Sequence, residues 1–249
     1  MPIRDTCMRF YWRVQKRLVP DLRYSQYAYE EMLERVVEEG AAWLDVGCGH
    51  EILPSWRLEQ EQKLAQRSRI LVGIDRDLPS LLKHKSLSSR VVGDIAQLPF
   101  REGSFDLVTS NMVFEHLEKP DVQLREIARV ISPRGLLLFH TPNAHGYSTI
   151  LARAIPEAIK RKVIYFLQRR VEDDVFRTHY RINTPFEISR LAEGSGLAVE
   201  ELHLIPSSAQ LVMLPPLVLL ELLWIKLTML PSMRHLRTNL IVLMRKVSA

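Results

Sequence analysis

Several glycine and polar residues come directly after short apolar runs, at positions where they could bind a small molecule. Gly47 and Gly49 follow the run 42–46, and glycines let a backbone approach a ligand closely. Asp75 follows a second run, and its carboxylate could accept hydrogen bonds from the two hydroxyls of a ribose. The later runs are followed by Asp94-Ile95 and by Ser110-Asn111-Met112-Val113. The pattern predicts a binding site built from four chain segments.

The elements that carry these residues alternate between strands and helices. Strands are predicted at 42–46, 70–74, 91–92, 105–110, 136–140, 198–205 and 240–244, and helices at 24–39, 58–67, 78–87, 120–131 and 185–194. This alternation indicates an α/β fold, with a doubly wound, mostly parallel sheet of seven strands and helices on both faces. Such sheets bind ligands at the carboxyl ends of their strands, where the glycines and polar residues fall.

The whole chain, 1–249, is predicted to form a single domain with four parts. These are an N-terminal helical cap (1–40), a ligand-binding core (41–145), a lid-like helical segment (146–184) and the C-terminal strands (185–249). Too many residues separate the last two strands for a hairpin, so a helical insertion is predicted at 206–238.

Composition narrows the class of protein. Hydrophobic residues make up 47% and charged residues 25% of the 249 residues, as in soluble globular proteins. Disordered, collagen-like and disulfide-scaffold proteins are excluded. Two cysteines, Cys7 and Cys48, and an N-terminus without a secretory signal favour a cytoplasmic location. The net charge of +5 arises outside the neutral segment 41–150, in flanks that are basic and apolar rather than in a nucleic-acid-binding stripe.

Several motifs share their order and spacing with a known family. They are LDVGCGH at 44–50, VGIDRD at 72–77, VVGDIAQLPF at 91–100, SFDLVTSNMVFEHLEKP at 104–120 and ISPRGLLLFHTPN at 131–143. The sequence resembles the class I S-adenosylmethionine-dependent methyltransferases, in the small-molecule branch that includes quinone-biosynthesis enzymes. The resemblance is strong over 40–145 and implies a Rossmann-like sheet. The sequence departs from the family pattern at Glu51, where a third glycine is common.

The resemblance assigns a contact with S-adenosylmethionine to Asp45, Gly47, Cys48, Gly49, Asp75, Asp94, Ile95, Asn111 and Met112. Asp45 would lie near the ammonium group of the cofactor and Asp75 at its ribose hydroxyls. Asp94 would accept a hydrogen bond from the adenine amino group, with Ile95 packed on the ring. Asn111 and Met112 would border the sulfonium and the substrate. For Asp75 and Asp94, a helix-capping role is the structural alternative.

The implied reaction is methyl transfer to oxygen or carbon of a small-molecule, glycan or lipid-like acceptor. A hydroxyl acceptor would need a general base, and the candidates are His116, His140 and His179. A structural hydrogen bond is the alternative role for each histidine. The spacing of His, Cys, Asp and Glu predicts no metal site.

Two other functions fit parts of the same pattern. An NAD-dependent oxidoreductase also has a strand, a glycine loop and a later acidic residue, but the sequence lacks its third glycine. A non-catalytic, membrane-associated binding protein with the same fold is the second alternative. Nucleic-acid methylation is disfavoured, because 110–113 reads SNMV rather than NPPY or DPPY.

Two flanking segments are apolar enough to need a partner. Residues 211–230 have only two charged side chains, but Pro215-Pro216 leaves too short a helix to cross a membrane. Segment 150–170 is basic and amphipathic. Both could pack as core or lid, hold a lipid-like acceptor, pair in a homodimer, or contact the inner face of a membrane peripherally.

Overall fold

A computed structural model describes residues 2–154 and 177–247 of the chain. Its centre is a seven-stranded sheet in the order β3-β2-β1-β4-β5-β7-β6. The strands are β1 Ala42–Val46, β2 Ile70–Asp75, β3 Ser89–Val92, β4 Phe105–Asn111, β5 Ile131–Pro142, β6 Leu197–Ile205 and β7 Asn239–Lys246. Strands β1 to β5 pair in parallel. The predicted doubly wound, mostly parallel sheet is confirmed.

Eight α-helices lie within the described residues. They are α1 Pro2–Leu18, α2 Ser25–Val36, α3 Leu58–Arg67, α4 Leu78–Lys83, α5 Pro120–Val130, α6 Tyr147–Ala154, α7 Pro185–Glu193 and α8 Pro215–Thr228. Short 3-10 helices occupy Ser55–Arg57, Phe114–His116 and Pro231–Leu236. The helical insertion predicted before the last strand is present as α8 and the 3-10 helix that follows it.

Two predicted element boundaries differ from the structure by four residues or more. The helix predicted at 78–87 ends at Lys83, because His84 adopts an extended backbone and is buried. The strand predicted at 136–140 begins at Ile131, which pairs with Phe105. The residues between Ile131 and Leu136 form an irregularity in the sheet, with Arg134 at φ +65°. Their Pro-Arg-Gly sequence is typical of a turn, so the strand start was not apparent from the pattern.

The chain divides into two compact units. The sheet unit comprises 26–141, 178–203 and 240–247, and the helical unit comprises 2–25, 142–154 with Arg177, and 204–239. The sheet unit buries the apolar strands, with Phe114 and Phe139 stacked at a ring distance of 4.0 Å. The helical unit has its own apolar cluster, where Tyr11 and Val19 contact α8.

The apolar flanks are only partly covered by the structure. Most of the basic segment 150–170 lies outside the described residues, so its predicted lid or membrane role stays a prediction. Across 2–154 and 177–247, the helices are all too short or too polar to traverse a bilayer.

Candidate functional site

The turn after β1 has room only for a glycine at its first position. Gly47 adopts φ +67°, and its N–H donates to the Ile74 carbonyl of β2 at 2.8 Å. A Cβ atom on Gly47 would lie 2.6 Å from a Val113 methyl group. Gly49 also has a positive φ, +50°, but no neighbour within 4 Å of its missing Cβ. The turn therefore needs Gly47 for space and conformation, and Gly49 for conformation alone.

Asp75 joins this turn to the end of β2. One carboxylate oxygen accepts the Gly49 N–H and the other accepts the Asp77 N–H, both at 2.8 Å. The cap of α4 is Asp77, which accepts the Ser80 N–H at 3.2 Å. The helix-capping alternative for Asp75 is therefore wrong. Each Asp75 oxygen keeps a lone pair beyond its backbone hydrogen bond, and the side chain is only half-buried.

Asp45 is a carboxyl group in an environment that disfavours its negative charge. It is 1% exposed and accepts a hydrogen bond from the Thr109 hydroxyl. Thr109 in turn accepts the indole N–H of Trp43 at 2.7 Å. Burial, and then the nearby carboxylates Glu61 and Asp75, raise the pKa of Asp45 to about 8. A bound cation would offset this cost and favour the ionised form.

The Cys48 side chain lies against the sheet instead of projecting as a reactive group. It is buried, and a Cβ on Gly73 of β2 would lie 2.7 Å from its Sγ. Burial and the carboxylates Asp45 and Asp75 raise the pKa of the Cys48 thiol well above its ordinary value. The Cys48 side chain is therefore not accessible, and only the backbone of Cys48 could make the predicted contact with the cofactor.

Asp94 and Ile95 follow β3 in a compact turn. One Asp94 oxygen accepts the Ala96 N–H at 2.9 Å, and the other pairs with the Arg76 guanidinium. Asp94 forms an isolated bridge with Gln97, so the turn is not the start of a helix. The capping alternative is therefore wrong for Asp94 as well. Both Asp94 and Ile95 are half-buried.

At the end of β4, the side-chain amide of Asn111 forms hydrogen bonds with three other segments of the chain. Its Nδ2 donates to Gln26 Oε1 and to the Ile52 carbonyl, each at 2.8 Å. Its Oδ1 accepts from Gln26 Nε2 at 3.2 Å and lies 2.9 Å from His140 Nδ1. These contacts tie α2 and the loop after the glycine turn to the strand ends. They also leave little of the amide for a ligand.

Met112 has a strained backbone. Its φ is +59°, in the left-handed region that non-glycine residues rarely adopt, and its N–H donates to the His140 carbonyl at 2.8 Å. The side chain of Met112 is exposed. Such strain is often retained at binding sites, and here it presents the thioether beyond the end of β4.

The three candidate histidines lie in two environments. His140 is 1% exposed, stacks on Tyr29 at a ring distance of 5.7 Å, and has a buried Nε2 without a hydrogen-bond partner. Burial lowers the pKa of His140 to about 3. His116 has a side chain 27% exposed, with Nε2 3.9 Å from a Glu115 carboxylate oxygen. The backbone N–H of His179 donates to the Glu115 carbonyl at 2.7 Å. The structure thus places His116 and the backbone of His179 beside Glu115, and leaves His140 buried in the sheet.

Two buried glutamates shape the site, and sequence reasoning gave neither of them a role. Glu61 accepts the N–H groups of Ile52 and Leu53 through one oxygen, both at 2.8 Å, and the Ser86 hydroxyl through the other. Glu115 accepts the Thr141 hydroxyl at 3.0 Å. No sequence signal separates the buried Glu61 from the exposed Glu59 on the same helix. The departure from the glycine pattern at Glu51 was a hint that the following loop needs another anchor.

Comparison with known proteins gives one family and several relatives. A family model described as a methyltransferase domain matches residues 22–202. The ubiquinone biosynthesis O-methyltransferase of Escherichia coli is 30% identical over 132 residues, which are 50% of this chain and 52% of that protein. The malonyl-[acyl-carrier protein] O-methyltransferase 1 of Coxiella burnetii is 42% identical over 82 residues, 32% of this chain and 28% of that protein. The chain therefore spans about half, or less, of the length of these curated relatives.

A structural neighbour agrees in fold. An S-adenosylmethionine dependent methyltransferase from Mesorhizobium loti superposes with a TM-score of 0.54 at 18% identity, covering 87% of this chain and 96% of that one. The similarity supports the arrangement of the seven strands. It says nothing by itself about the reaction.

Proposed function

Because the chain belongs to the methyltransferase-domain family, matched over residues 22–202, we propose that it methylates an oxygen atom of a small-molecule or lipid-like acceptor. S-adenosylmethionine is the cofactor that this family and fold imply. Two curated relatives carry O-methyltransferase in their names, which favours oxygen over carbon as the acceptor atom. The observation that carries the proposal is the meeting of Gly47, Asp45 and Asp75 at adjacent strand ends.

The residues present fit S-adenosylmethionine. Gly49 has no atom within 4 Å of the position of its missing Cβ, so its backbone is open to close approach by a ligand, while Gly47 lets the turn pack against Val113. Asp45 is a buried carboxyl whose charge is disfavoured until a cation such as an ammonium group arrives. Asp75 has both oxygens oriented by backbone N–H groups and lone pairs left for a ribose diol. The comparisons lend no support to the NAD-dependent oxidoreductase or to a non-catalytic protein.

The chemistry divides between cofactor and protein. When bound, S-adenosylmethionine supplies a methyl group on a sulfonium that an acceptor oxygen can displace directly. The protein's task is then to hold the reactants in line and to exclude water. Rigid anchors for this task are Asn111, tied to α2 and to the loop at Ile52, and the strained Met112 beside it.

We assign the role of general base for a hydroxyl acceptor to His116. It is partly exposed and lies beside the buried carboxyl group of Glu115. His140 is a weak base, since its pKa is about 3. His116→Gln should lower kcat about a hundredfold with a phenolic acceptor and leave a carboxylate acceptor unaffected, since a carboxylate is already ionised. Equal losses with both acceptor types, measured as initial rates across pH, would remove His116 from this role.

The cofactor assignment is tested by titration calorimetry with S-adenosylmethionine and, separately, with NAD. The wild-type protein should bind S-adenosylmethionine and not NAD. Asp75→Ala should weaken this binding by roughly 1–3 kcal/mol, because charged hydrogen bonds to the ribose are lost. Asp77→Ala is the matched control, since it removes only the cap of α4 and should leave the affinity unchanged. Binding of NAD, or an unchanged affinity in Asp75→Ala, would contradict the proposal.

A further inference from the structure

Helix α8 buries an acidic and a hydroxyl side chain and exposes five of its leucines, the reverse of an ordinary surface helix. Glu221 and Thr228 are buried beside Val218, Leu222 and Ile225. The exposed large side chains are Leu217, Leu219, Leu220, Leu223 and Leu227, followed by Leu230 just beyond the helix. Leu220 is the most exposed of them, at 63%. We call these six residues the leucine face.

The leucine face cannot turn inward, because the helix is held at its middle and at its C-terminal end. Glu221 accepts the Gln210 and Leu211 N–H groups at 2.8 Å and the Tyr147 hydroxyl at 2.6 Å. At the C-terminal end, the Arg237 guanidinium donates to the carbonyls of Thr228 and Met229, both at 3.0 Å. Rotating α8 to bury its leucines would break these five hydrogen bonds. The exposure of the leucines is therefore built into the helical unit.

The exposed charged groups on α8 and on the 3-10 helix that follows it have one sign. Between Pro215 and Leu236 the exposed charged side chains are Lys226 and Arg234, both cationic, whereas the acidic Glu221 is buried. Helix α1, which packs on α8 through Tyr11, adds the exposed Arg4, Arg9, Arg13, Lys16 and Arg17 against a single acid, Asp5. Trp12 of the same helix is exposed as well. Tryptophan favours the boundary between lipid headgroups and acyl chains.

We propose that the leucine face and its flanking cations dock the helical unit onto an anionic lipid surface. Leucines at the level of the acyl-chain boundary, with arginine and lysine among the headgroups, are the composition of helices that lie in the plane of a membrane. An exposed apolar face whose own helix and following 3-10 turn carry only Lys226 and Arg234 as exposed charges, beside a helix α1 with five exposed cations and one acid, matches anionic lipid better than a second copy of the same cationic surface.

The experiment is co-sedimentation of the full chain with phosphatidylcholine vesicles, with and without phosphatidylserine. Binding should require phosphatidylserine and weaken as salt is raised. Leu220→Gln/Leu223→Gln should lower the vesicle partition coefficient about tenfold or more, since glutamine keeps the helix propensity but not the apolar surface. Lys226→Glu/Arg234→Glu should lower it at least about fivefold for each cation removed.

The matched controls lie on α4 in the sheet unit. Leu82→Gln and Lys83→Glu change an exposed leucine and an exposed lysine on another helix, and should leave vesicle binding unchanged. Circular dichroism confirms that each variant is folded, and calorimetry should show the same affinity for S-adenosylmethionine. Protein that stays in the supernatant with phosphatidylserine vesicles overturns the proposal. So does a dimer in analytical ultracentrifugation that the leucine variant dissociates, because a second copy then covers the face.

Discussion

A buried glutamate accepts the backbone N–H groups of a loop in each of the two units of this protein. In the sheet unit, Glu61 accepts two successive backbone N–H groups, of Ile52 and Leu53, and one hydroxyl. In the helical unit, Glu221 accepts the successive N–H groups of Gln210 and Leu211, and again one hydroxyl. In both places a buried carboxylate holds a loop that has no regular hydrogen-bonding partner of its own.

The two units differ in what the anchored loop supports. Glu61 holds the loop that follows the glycine turn, so its hydrogen bonds support the proposed cofactor site. Glu221 holds the loop that leads into α8, whose outward side is the leucine face. A buried carboxylate that anchors a loop can therefore support a polar site in one unit and an apolar surface in the other. What distinguishes them is which side chains the anchored backbone exposes.

The largest effect is expected where a glycine is crowded in each unit. Gly47→Ala places a Cβ 2.6 Å from Val113, and Gly146→Ala places one 2.9 Å from the Thr238 backbone. Each should destabilise its unit by roughly 2–4 kcal/mol, by overpacking in both and by a positive φ at Gly47. Only Gly47→Ala should also abolish measurable binding of S-adenosylmethionine in calorimetry. Gly40→Ala, with φ +76° and no neighbour within 4 Å, isolates the conformational cost.

A loss of stability of similar size is expected at the two glutamates, where only the effect on cofactor affinity differs. Glu61→Ala and Glu221→Ala should each lower the free energy of unfolding by roughly 3 kcal/mol, because buried donors lose their acceptor. Affinity for S-adenosylmethionine should fall only in Glu61→Ala. Urea unfolding and calorimetry measure the two quantities. An equal loss of affinity in both variants would mean that the division between the units is wrong.

Conservative variants refine this comparison. In Glu61→Gln the amide can still accept both N–H groups through its oxygen, while its NH2 donates to the Ser86 hydroxyl, which can rotate. In Glu221→Gln the amide NH2 must face an N–H donor, since the bonds to Gln210 and Leu211 go to different oxygens. Stability should therefore recover more fully with Glu61→Gln than with Glu221→Gln.

The smallest effect concerns pH and Asp45. Its pKa is raised to about 8 in the folded protein, while an unfolded aspartate titrates near about 3.9. The folded protein therefore keeps a proton that the unfolded chain releases, and stability falls as pH rises from about 4 through 8. Asp45→Asn should raise Tm by a few degrees at pH 9 relative to wild type, with a smaller gain at pH 5, while weakening binding of S-adenosylmethionine. A gain in Tm that does not vary with pH would contradict this account of Asp45.

The raised pKa of Asp45 also predicts a release of protons when a cationic ligand binds. A cationic ligand group beside Asp45 favours its ionised form, so binding of S-adenosylmethionine near pH 7 should release protons. Calorimetry in buffers of different ionisation enthalpy measures this release, which Asp45→Asn should remove. Asp106→Asn, an exposed carboxylate at the start of β4, is the control and should leave the release unchanged.

Local patterns in the sequence were enough to predict the sheet and the strand ends at which the candidate residues lie. Strand β1 was predicted with the boundaries that the structure has, because a short apolar run followed by Gly-Cys-Gly has few other interpretations. The positions of Gly47 and Asp75 at strand ends follow from the same alternation of strands and helices. These features are local, and neighbouring residues in the chain determine them.

The long-range polar contacts were decided only by the tertiary structure. The sequence does not show that Asn111 joins Gln26, Ile52 and His140, since those residues are far apart in the chain. The sequence also places Glu221 and Thr228 on one side of α8, but it does not show which side of the helix is buried. The rest of the helical unit decided that, because Glu221 accepts three hydrogen bonds on the same side on which Val218, Leu222 and Ile225 are buried. Periodicity identifies the faces of a helix, whereas the partners brought by the rest of the chain decide which face lies inside.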